Sequence, residues 1–368
     1  LLQPNRHIIG LNPATHGGVN NRELREKGLN PDNIRDFSIS CNPFGPPASV
    51  RASLNEVPAE LYPDSECYDL AKALSGKLYV SAENVIICNG STELIRLALA
   101  AYLSSKDKAL VLQPTYGDYE LACRQFDIEV IKYQLNEDNN FLLDADKLLE
   151  FMEFHRPKAM FFCNPNNPTG QYLPVEKVKR IASTFDQTLV ILDEAYITFT
   201  LNSDNALKLI DMPNVLLCRS MTKDFALAGL RLGYGVASSE IINHLKKARP
   251  PWNVNSMAQQ AGITALQCDQ YLAECITSIF EAKQYLIDEL TALGLKTIPS
   301  QTHYFLIKVG NAAKFRETLL NEGFAVRDCT SFGLHQYIRI APRAMEDCRE
   351  LIEAIKKIHA IPACRNDS

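Results

Sequence analysis

Six short, nearly continuous apolar runs punctuate the first two thirds of the chain. They are VIICN (85–89), ALVLQ (109–113), AMFFCN (159–164), LVILDE (189–194), VLLCRS (215–220) and LGYGVAS (232–238). Unbroken apolar character over so few residues marks a strand covered on both faces. Between several of them the period becomes that of an amphipathic helix, as in ELIRLALAAYL (93–103) and VEKVKRIASTF (175–185). Strands alternating with helices predict an α/β fold with a mainly parallel central sheet flanked by helices. After about residue 250 the pattern changes. A helical stretch from Ser256 to Leu293 precedes shorter strands around YFLIKV (304–309) and QYIRIAP (336–342). These predict a smaller α+β domain. The expected division is an N-terminal arm and part of the small domain over 1–50, a large domain over 51–250 and a C-terminal small domain over 251–368.

Ligands of such sheets collect beyond the carboxyl ends of the strands. Polar residues cluster there: Asn89-Gly90-Ser91-Thr92, Asn164 to Gly170, Asp193 to Tyr196 and Ser220 to Lys223 each follow an apolar run directly. Four polar strand ends converging on one rim predict a site.

Composition narrows the partners. Hydrophobic residues make up 46% and charged residues 22% of the 368, with a formal charge of -5. That balance gives no reason to expect binding to nucleic acid or an anionic membrane, while a local arginine cluster can still hold a small anion. The eleven cysteines, from Cys41 to Cys364, show no C-x-x-C pair and no zinc spacing, so no metal is expected. Several lie inside apolar runs and read as buried free thiols, which suits a reducing cytoplasm. No apolar run approaches the ~20 residues of a membrane helix. The residues following Leu1 lack the apolar core of a secretion signal.

The candidate chemistry centres on Lys223, in Ser220-Met221-Thr222-Lys223. A lysine at a site rim can form a Schiff base, although a lysine after a strand is ordinarily a solvated surface group. Asp193 ends a buried strand, where a carboxylate is costly unless paired. A protonated pyridine nitrogen is a suitable partner, and a helix N-cap is the alternative. Gly90-Ser91-Thr92-Glu93 opens a helix, which offers either a phosphate site or a capping motif. Asn164-Pro165-Asn166-Asn167-Pro168-Thr169-Gly170 is a turn that can aim an amide at a ligand, or simply a turn.

The ordered series GSTE, PTYGDY (114–119), NPNNPTG, DEAY, SMTK and GLRLGY closely resembles the class I/II aminotransferases of fold type I, enzymes that use pyridoxal 5′-phosphate (PLP). The resemblance implies that Lys223 binds the cofactor covalently and Asp193 pairs with its pyridine nitrogen. Asn167 and Tyr196 hold the 3′-oxygen, and Tyr116 stacks on the ring. Gly90, Ser91, Thr92, Ser220 and Arg231 bind the phosphate, with Thr222 in the same cofactor set. Tyr62 matches a tyrosine that reaches the partner subunit's cofactor phosphate, which implies a homodimer with shared active sites.

Within that family two groups compete. Threonine-phosphate decarboxylases of cobalamin biosynthesis are resembled by Thr15-His16-Gly17-Gly18, by Arg219-Ser220-Met221-Thr222-Lys223 and by the tryptophan of Pro251-Trp252-Asn253. Histidinol-phosphate aminotransferases are the alternative, and a PLP-fold regulatory module is a third reading, disfavoured by the full set of catalytic positions. On the first reading His16, Gly17, Gly18 and Arg327 bind the substrate phosphate and Arg339 its carboxylate, Ser40 and Asn42 completing the substrate set. Arginine suits both anions through its planar fork of donors, with a surface ion pair as the alternative. Both groups usually carry asparagine where Ser40 stands, which leaves open a preference for serine phosphate over threonine phosphate.

Overall fold

The fold is given by a computed structural model that describes residues 2–360; Leu1 and Cys364 lie outside them. Twelve strands occur among the described residues. In chain order they are β1 (Arg35–Asp36), β2 (Val85–Cys88), β3 (Lys108–Gln113), β4 (Glu129–Gln134), β5 (Ala159–Cys163), β6 (Leu189–Asp193) and β7 (Val215–Ser220). They continue with β8 (Gly233–Ala237), β9 (Phe305–Lys308), β10 (Phe324–Ala325), β11 (Arg327–Asp328) and β12 (Tyr337–Ile340).

Strands β2 to β8 form one sheet in the order β2-β8-β7-β6-β5-β3-β4, in which only β8 runs antiparallel to its neighbours. The apolar runs occupy its interior, where both faces are covered. Ile87, Leu110, Met160, Val190 and Leu217 point into one hydrophobic layer. Ile86, Val111, Phe161, Ile191 and Leu216 point into the other. Alternation of side chains along each strand therefore feeds two cores from one sheet. The edge strand β4 has no counterpart among the six predicted runs. Its sequence EVIKYQ alternates exposed and covered positions, so it lacks the continuous apolar signal of its neighbours.

The small lobe has its own core, built from Phe37, Leu286, Phe305, Ile307, Ile338, Ile340 and Leu351. β1 pairs parallel with β10, which ties the beginning of the chain to its last quarter. The expected helical stretch divides into Ser256–Ala265 and Asp269–Ala292. Further upstream, helix Asn21–Glu26 is clamped to helix Ala312–Asn321 by Glu23, whose two oxygens accept from Arg316 at 2.7 and 2.6 Å. That clamp, with buried Leu24 against Leu320 and Ala325, carries residues 14–18 to the rim of the large sheet. Among the described residues no helix is long and apolar enough to cross a membrane. The ten described cysteines are free, eight of them buried, and burial pushes thiols such as Cys123 and Cys163 up to about 12.

Candidate active site

The carboxyl ends of β5, β6 and β7, with the helix that follows β2, surround a cavity of about 80 Å³ lined by Gly90, Ser91, Thr92, Tyr116, Tyr119, Asn167, Asp193, Tyr196, Ser220, Thr222, Lys223 and Arg231. A wider cleft of about 360 Å³ shares Thr92, Tyr116, Asn167, Tyr196, Lys223 and Arg231 with it. To these the cleft adds His16, Gly17, Ser40, Arg327 and Arg339. The structure thus brings most of the expected site residues together. Three lie apart. Gly18 and Asn42 line neither cavity, and Tyr62 is 81% exposed with its ring 4.8 Å from that of Trp252. Asn42 spends its side chain on the wall: Nδ2 donates to the Asp224 carbonyl, and Oδ1 accepts from the Phe44 amide.

Asp193 is the anionic pole. Its Oδ2 accepts from the Tyr119 hydroxyl at 2.7 Å and its Oδ1 from the Ala195 amide at 3.0 Å. Burial raises its pKa, an effect opposed by those two hydrogen bonds. No ion pair holds it among the described residues, and the charge of Lys223 offsets its burial only in part. A protonated ring nitrogen would complete that compensation. Tyr119, the second tyrosine of PTYGDY, was not among the expected site residues; its place in that motif was the available signal.

The helix Gly90–Tyr102 supplies the opposite pole. Its N-cap, Asn89, makes no side-chain capping bond and instead donates to the Asn253 carbonyl, so the helix's first-turn amides are left for a ligand. Glu93 does fold back to accept from the Asn89 amide, and the capping reading therefore holds only for that half. Gly90 sits at φ +74°, and a Cβ there would come within 2.9 Å of the Arg231 guanidinium. Glycine is what lets the arginine lie over the helix terminus. An anion such as a phosphate monoester fits the amides, the Ser220 hydroxyl and Arg231 together. Within NPNNPTG the three asparagines separate by role. Asn164 bonds the main chain of Leu173, and Asn166 bonds Thr115, Pro114 and Thr169. Asn167 faces the cavity and accepts from Arg339.

Lys223 projects between the two poles, its Nζ 5.8 Å from the Tyr196 ring centre. The Tyr196 phenol holds its pKa above the ordinary range, against burial and the cations Arg339 and Arg231. These groups fit a flat ring bearing a basic nitrogen, a phosphate and an aldehyde: Asp193, the helix terminus with Arg231, and Lys223 are their respective partners.

Two further arginines lie in the cleft. Arg339 is buried, donates to Asn167 and to the Ser38 carbonyl, and keeps its Nε without a partner. Arg327 is also buried and donates to the Thr15 carbonyl at 2.8 Å and to Ser331 at 2.7 Å. Burial and repulsion from Arg339 lower its pKa. Two buried guanidiniums with no carboxylate partner among the described residues call for anions from outside. The arm carrying His16 closes this side. A Cβ on Gly17 would meet the Ser38 carbonyl oxygen at 2.6 Å, so the arm reaches this depth only as glycine. Gly18 donates to Ser38 Oγ at 2.8 Å, and the His16 ring lies 5.7 Å from that of Tyr116. Burial holds His16 below its ordinary pKa, against the pull of Asp118. Asp118 itself is held by a bidentate bond from Arg96.

One buried acid beside the site has no evident chemical task. Asp224 accepts from the Phe225 amide at 3.0 Å, and burial pushes it up to about 7 from 3.8. The folded chain therefore keeps a proton there that the unfolded chain releases, so stability falls as pH rises from about 4 to about 7. Asp224→Asn should remove a penalty on the order of 2 to 4 kcal/mol at pH 8 and almost none at pH 4. Thermal unfolding at both pH values checks this; equal shifts in Tm would contradict it.

Comparison with known proteins places the site in context. A model of the aminotransferase class I and II family matches residues 33–355. The histidinol-phosphate aminotransferase of Halorubrum lacusprofundi is 32% identical over 360 residues, covering 97% of each chain. Six further proteins of that name match at 29% to 32%. The adenosylcobalamin biosynthesis bifunctional protein CobDQ of Leptospira interrogans is 35% identical over 361 residues, 95% of this chain and 41% of that longer protein. Among solved structures, a histidinol-phosphate aminotransferase from Clostridium acetobutylicum superposes with a TM-score of 0.81 at 26% identity, over 89% of this chain and 99% of its own. The L-threonine-O-3-phosphate decarboxylase of Porphyromonas gingivalis gives 0.77, also at 26% identity, over 88% and 99%.

Proposed function

We propose a reaction for this chain from one fact: it belongs to the aminotransferase class I and II family. It is a PLP-dependent enzyme of that fold, and we infer that it decarboxylates a small O-phosphorylated α-amino acid, threonine phosphate or serine phosphate. The observation that carries this reading is the position of His16 and Gly17 beside two buried arginines that lack acid partners. A substrate bearing a phosphate at one end and a carboxylate at the other uses both cations. Arg327, neutral His16 and the Gly17 backbone face the phosphate, and Arg339 with Asn167 faces the carboxylate.

The bound cofactor supplies an electron sink for the charge left when a bond to the substrate's α-carbon breaks. The chain's own groups do the rest. Asp193, oriented by Tyr119, keeps a proton on the ring nitrogen. Lys223 holds the cofactor and, once displaced by the substrate amine, returns a proton to the α-carbon after carbon dioxide leaves. The arm bearing His16 shields that carbon from water.

Transamination of histidinol phosphate is the second reading, favoured by the names of most of the curated relatives above. Histidinol phosphate carries one anion and an imidazole, and that ring would have to sit among Arg327, His16 and an Asp118 already neutralised by Arg96. The charge pattern suits a second anion better than an imidazole, whereas 2-oxoglutarate, the amino acceptor of that reaction, brings two carboxylates of its own and would use both arginines. Mass-spectrometric assay of the PLP-loaded protein decides. Aminopropanol phosphate or ethanolamine phosphate should form with carbon dioxide when no keto acid is present. Glutamate formed only from histidinol phosphate with 2-oxoglutarate would establish the aminotransferase instead.

We further infer a homodimer. The exposed Tyr62 lies outside its own chain's cavities, which suits a role in a neighbouring copy's site.

A further inference from the structure

One buried lysine lines neither cavity, and the reaction above leaves it without a task. Lys283, on the helix Asp269–Ala292, is 7% exposed, and no carboxylate pairs with it among the described residues. Its Nζ donates to the Ser300 carbonyl at 2.7 Å and to the Thr302 carbonyl at 2.6 Å. Burial pushes its pKa down to about 8, so the ammonium is held there against a desolvation cost. The loop it grips joins the small lobe to the turn that carries Asn167. Gln301 donates its amide to the Gly170 carbonyl at 2.9 Å, and Gln171 Nε2 donates to the Pro299 carbonyl at 2.8 Å. The loop ends at Tyr304, which is fully buried and reaches three parts of the site. Its hydroxyl donates to the Asn166 carbonyl at 3.1 Å, and its ring lies 4.9 Å from that of Tyr196. The Arg339 guanidinium sits 5.1 Å from its ring centre.

We infer that Lys283 is a positioning residue: its ammonium fixes the loop over residues 300–304, and Tyr304 in turn holds Asn167 and Tyr196 in place for the cofactor. The inference rests on the cofactor reading above, in which those two side chains hold the 3′-oxygen of PLP. An ammonium suits the task because three donors radiate from one atom, so a single side chain can hold two carbonyls at once. A methionine in its place would fill much of the same volume and leave both carbonyls without that donor. The loop would then shift to find others, and the shift would pass through Tyr304 to the turn bearing Asn167.

Two readouts test this, and neither is turnover. Amide hydrogen exchange in the unloaded protein reads the loop directly. In Lys283→Met the amides of Gln301 and Gly170 should exchange about tenfold faster or more, the effect of losing a hydrogen bond from a charged donor, while those of β5 keep the wild-type rate. Absorbance of the bound cofactor against pH reads the site. Donors to the 3′-oxygen favour its anionic form, so loosening Asn167 and Tyr196 should move the spectral midpoint up by about half a pH unit or more. Tyr304→Phe, which removes only the hydroxyl on the Asn166 carbonyl, should move it in the same direction, and it decides if Lys283→Met does not fold. Asn167→Ala tests the cofactor reading separately: an unmoved midpoint there sinks that reading and leaves exchange to decide for Lys283. Where Asn167→Ala does move it, an unmoved midpoint in Lys283→Met overturns the inference. Unchanged exchange at Gln301 overturns it in either case.

Discussion

A Lys223→Ala protein should lose turnover by about four orders of magnitude or more, because one nitrogen performs two tasks. On the proposed reaction the amine would anchor the cofactor covalently and, when free, would carry the proton that must reach the α-carbon. No neighbour can replace it. Within the shared part of the two cavities Arg231 is the other cation, and a guanidinium neither forms that linkage nor gives up its proton. The noncovalent grip should survive: the helix terminus at Gly90, Arg231 and Asp193 are untouched by the substitution. Equilibrium dialysis should therefore find the cofactor bound more weakly but still bound, and its absorption should resemble that of the free aldehyde. Product formation measured by mass spectrometry gives the decisive number. Activity above about one per cent of wild type would mean that the covalent and proton-carrying roles belong elsewhere.

Much of this site could be read from the chain because it is built on strand ends. A strand buried on both faces must be apolar to its last residue, so the first polar residue after it stands out and lies at the rim. Asp193 and Lys223 were legible for that reason. Residues brought in by packing were not. Tyr119 is the second residue of the helix Asp118–Gln125 and reaches Asp193 across 74 positions; its place in PTYGDY hints at the site, but nothing in the local pattern announces the bond. His303 precedes a short strand and reads as an ordinary loop residue until its ring is packed against Phe199 and Tyr196. Asn42 shows the converse. Its neighbourhood matched the substrate segment, but its amide is engaged by Asp224 and Phe44 in the wall. The N-terminal arm is intermediate: the His-Gly-Gly pattern was visible, while its depth follows from the clamp between Glu23 and Arg316. The edge strand β4 was missed because an edge need not be apolar on both faces.

Replacing Asp193 by asparagine removes one charge and almost no volume, which makes it the sharpest test of the electrostatics. The carboxylate is buried, bonded by Tyr119 and the Ala195 amide, and in no ion pair among the described residues. In the unloaded protein burial raises its pKa, so the charge is held at some cost. When a protonated ring nitrogen arrives, the pair neutralises itself and the cost is recovered. Asparagine can keep both contacts with its Oδ1 accepting from the Ala195 amide and its Nδ2 donating to the Tyr119 oxygen, so the fold and the cavity should persist. What it cannot do is stabilise a cationic ring nitrogen, and the ring then loses most of its power to accept electrons. Asp193→Asn should lower kcat/KM by about two to three orders of magnitude, the range for removing one preorganised electrostatic partner. Its unloaded form should be no less stable, and even slightly more stable at pH 8, because a buried charge has gone. Cofactor affinity should fall at the same time. Titration of the cofactor into both proteins, followed by kinetics at saturation, separates the two effects. A variant with wild-type kcat once saturated would show that the ring nitrogen needs no acid here, and the assignment of Asp193 would fall with it.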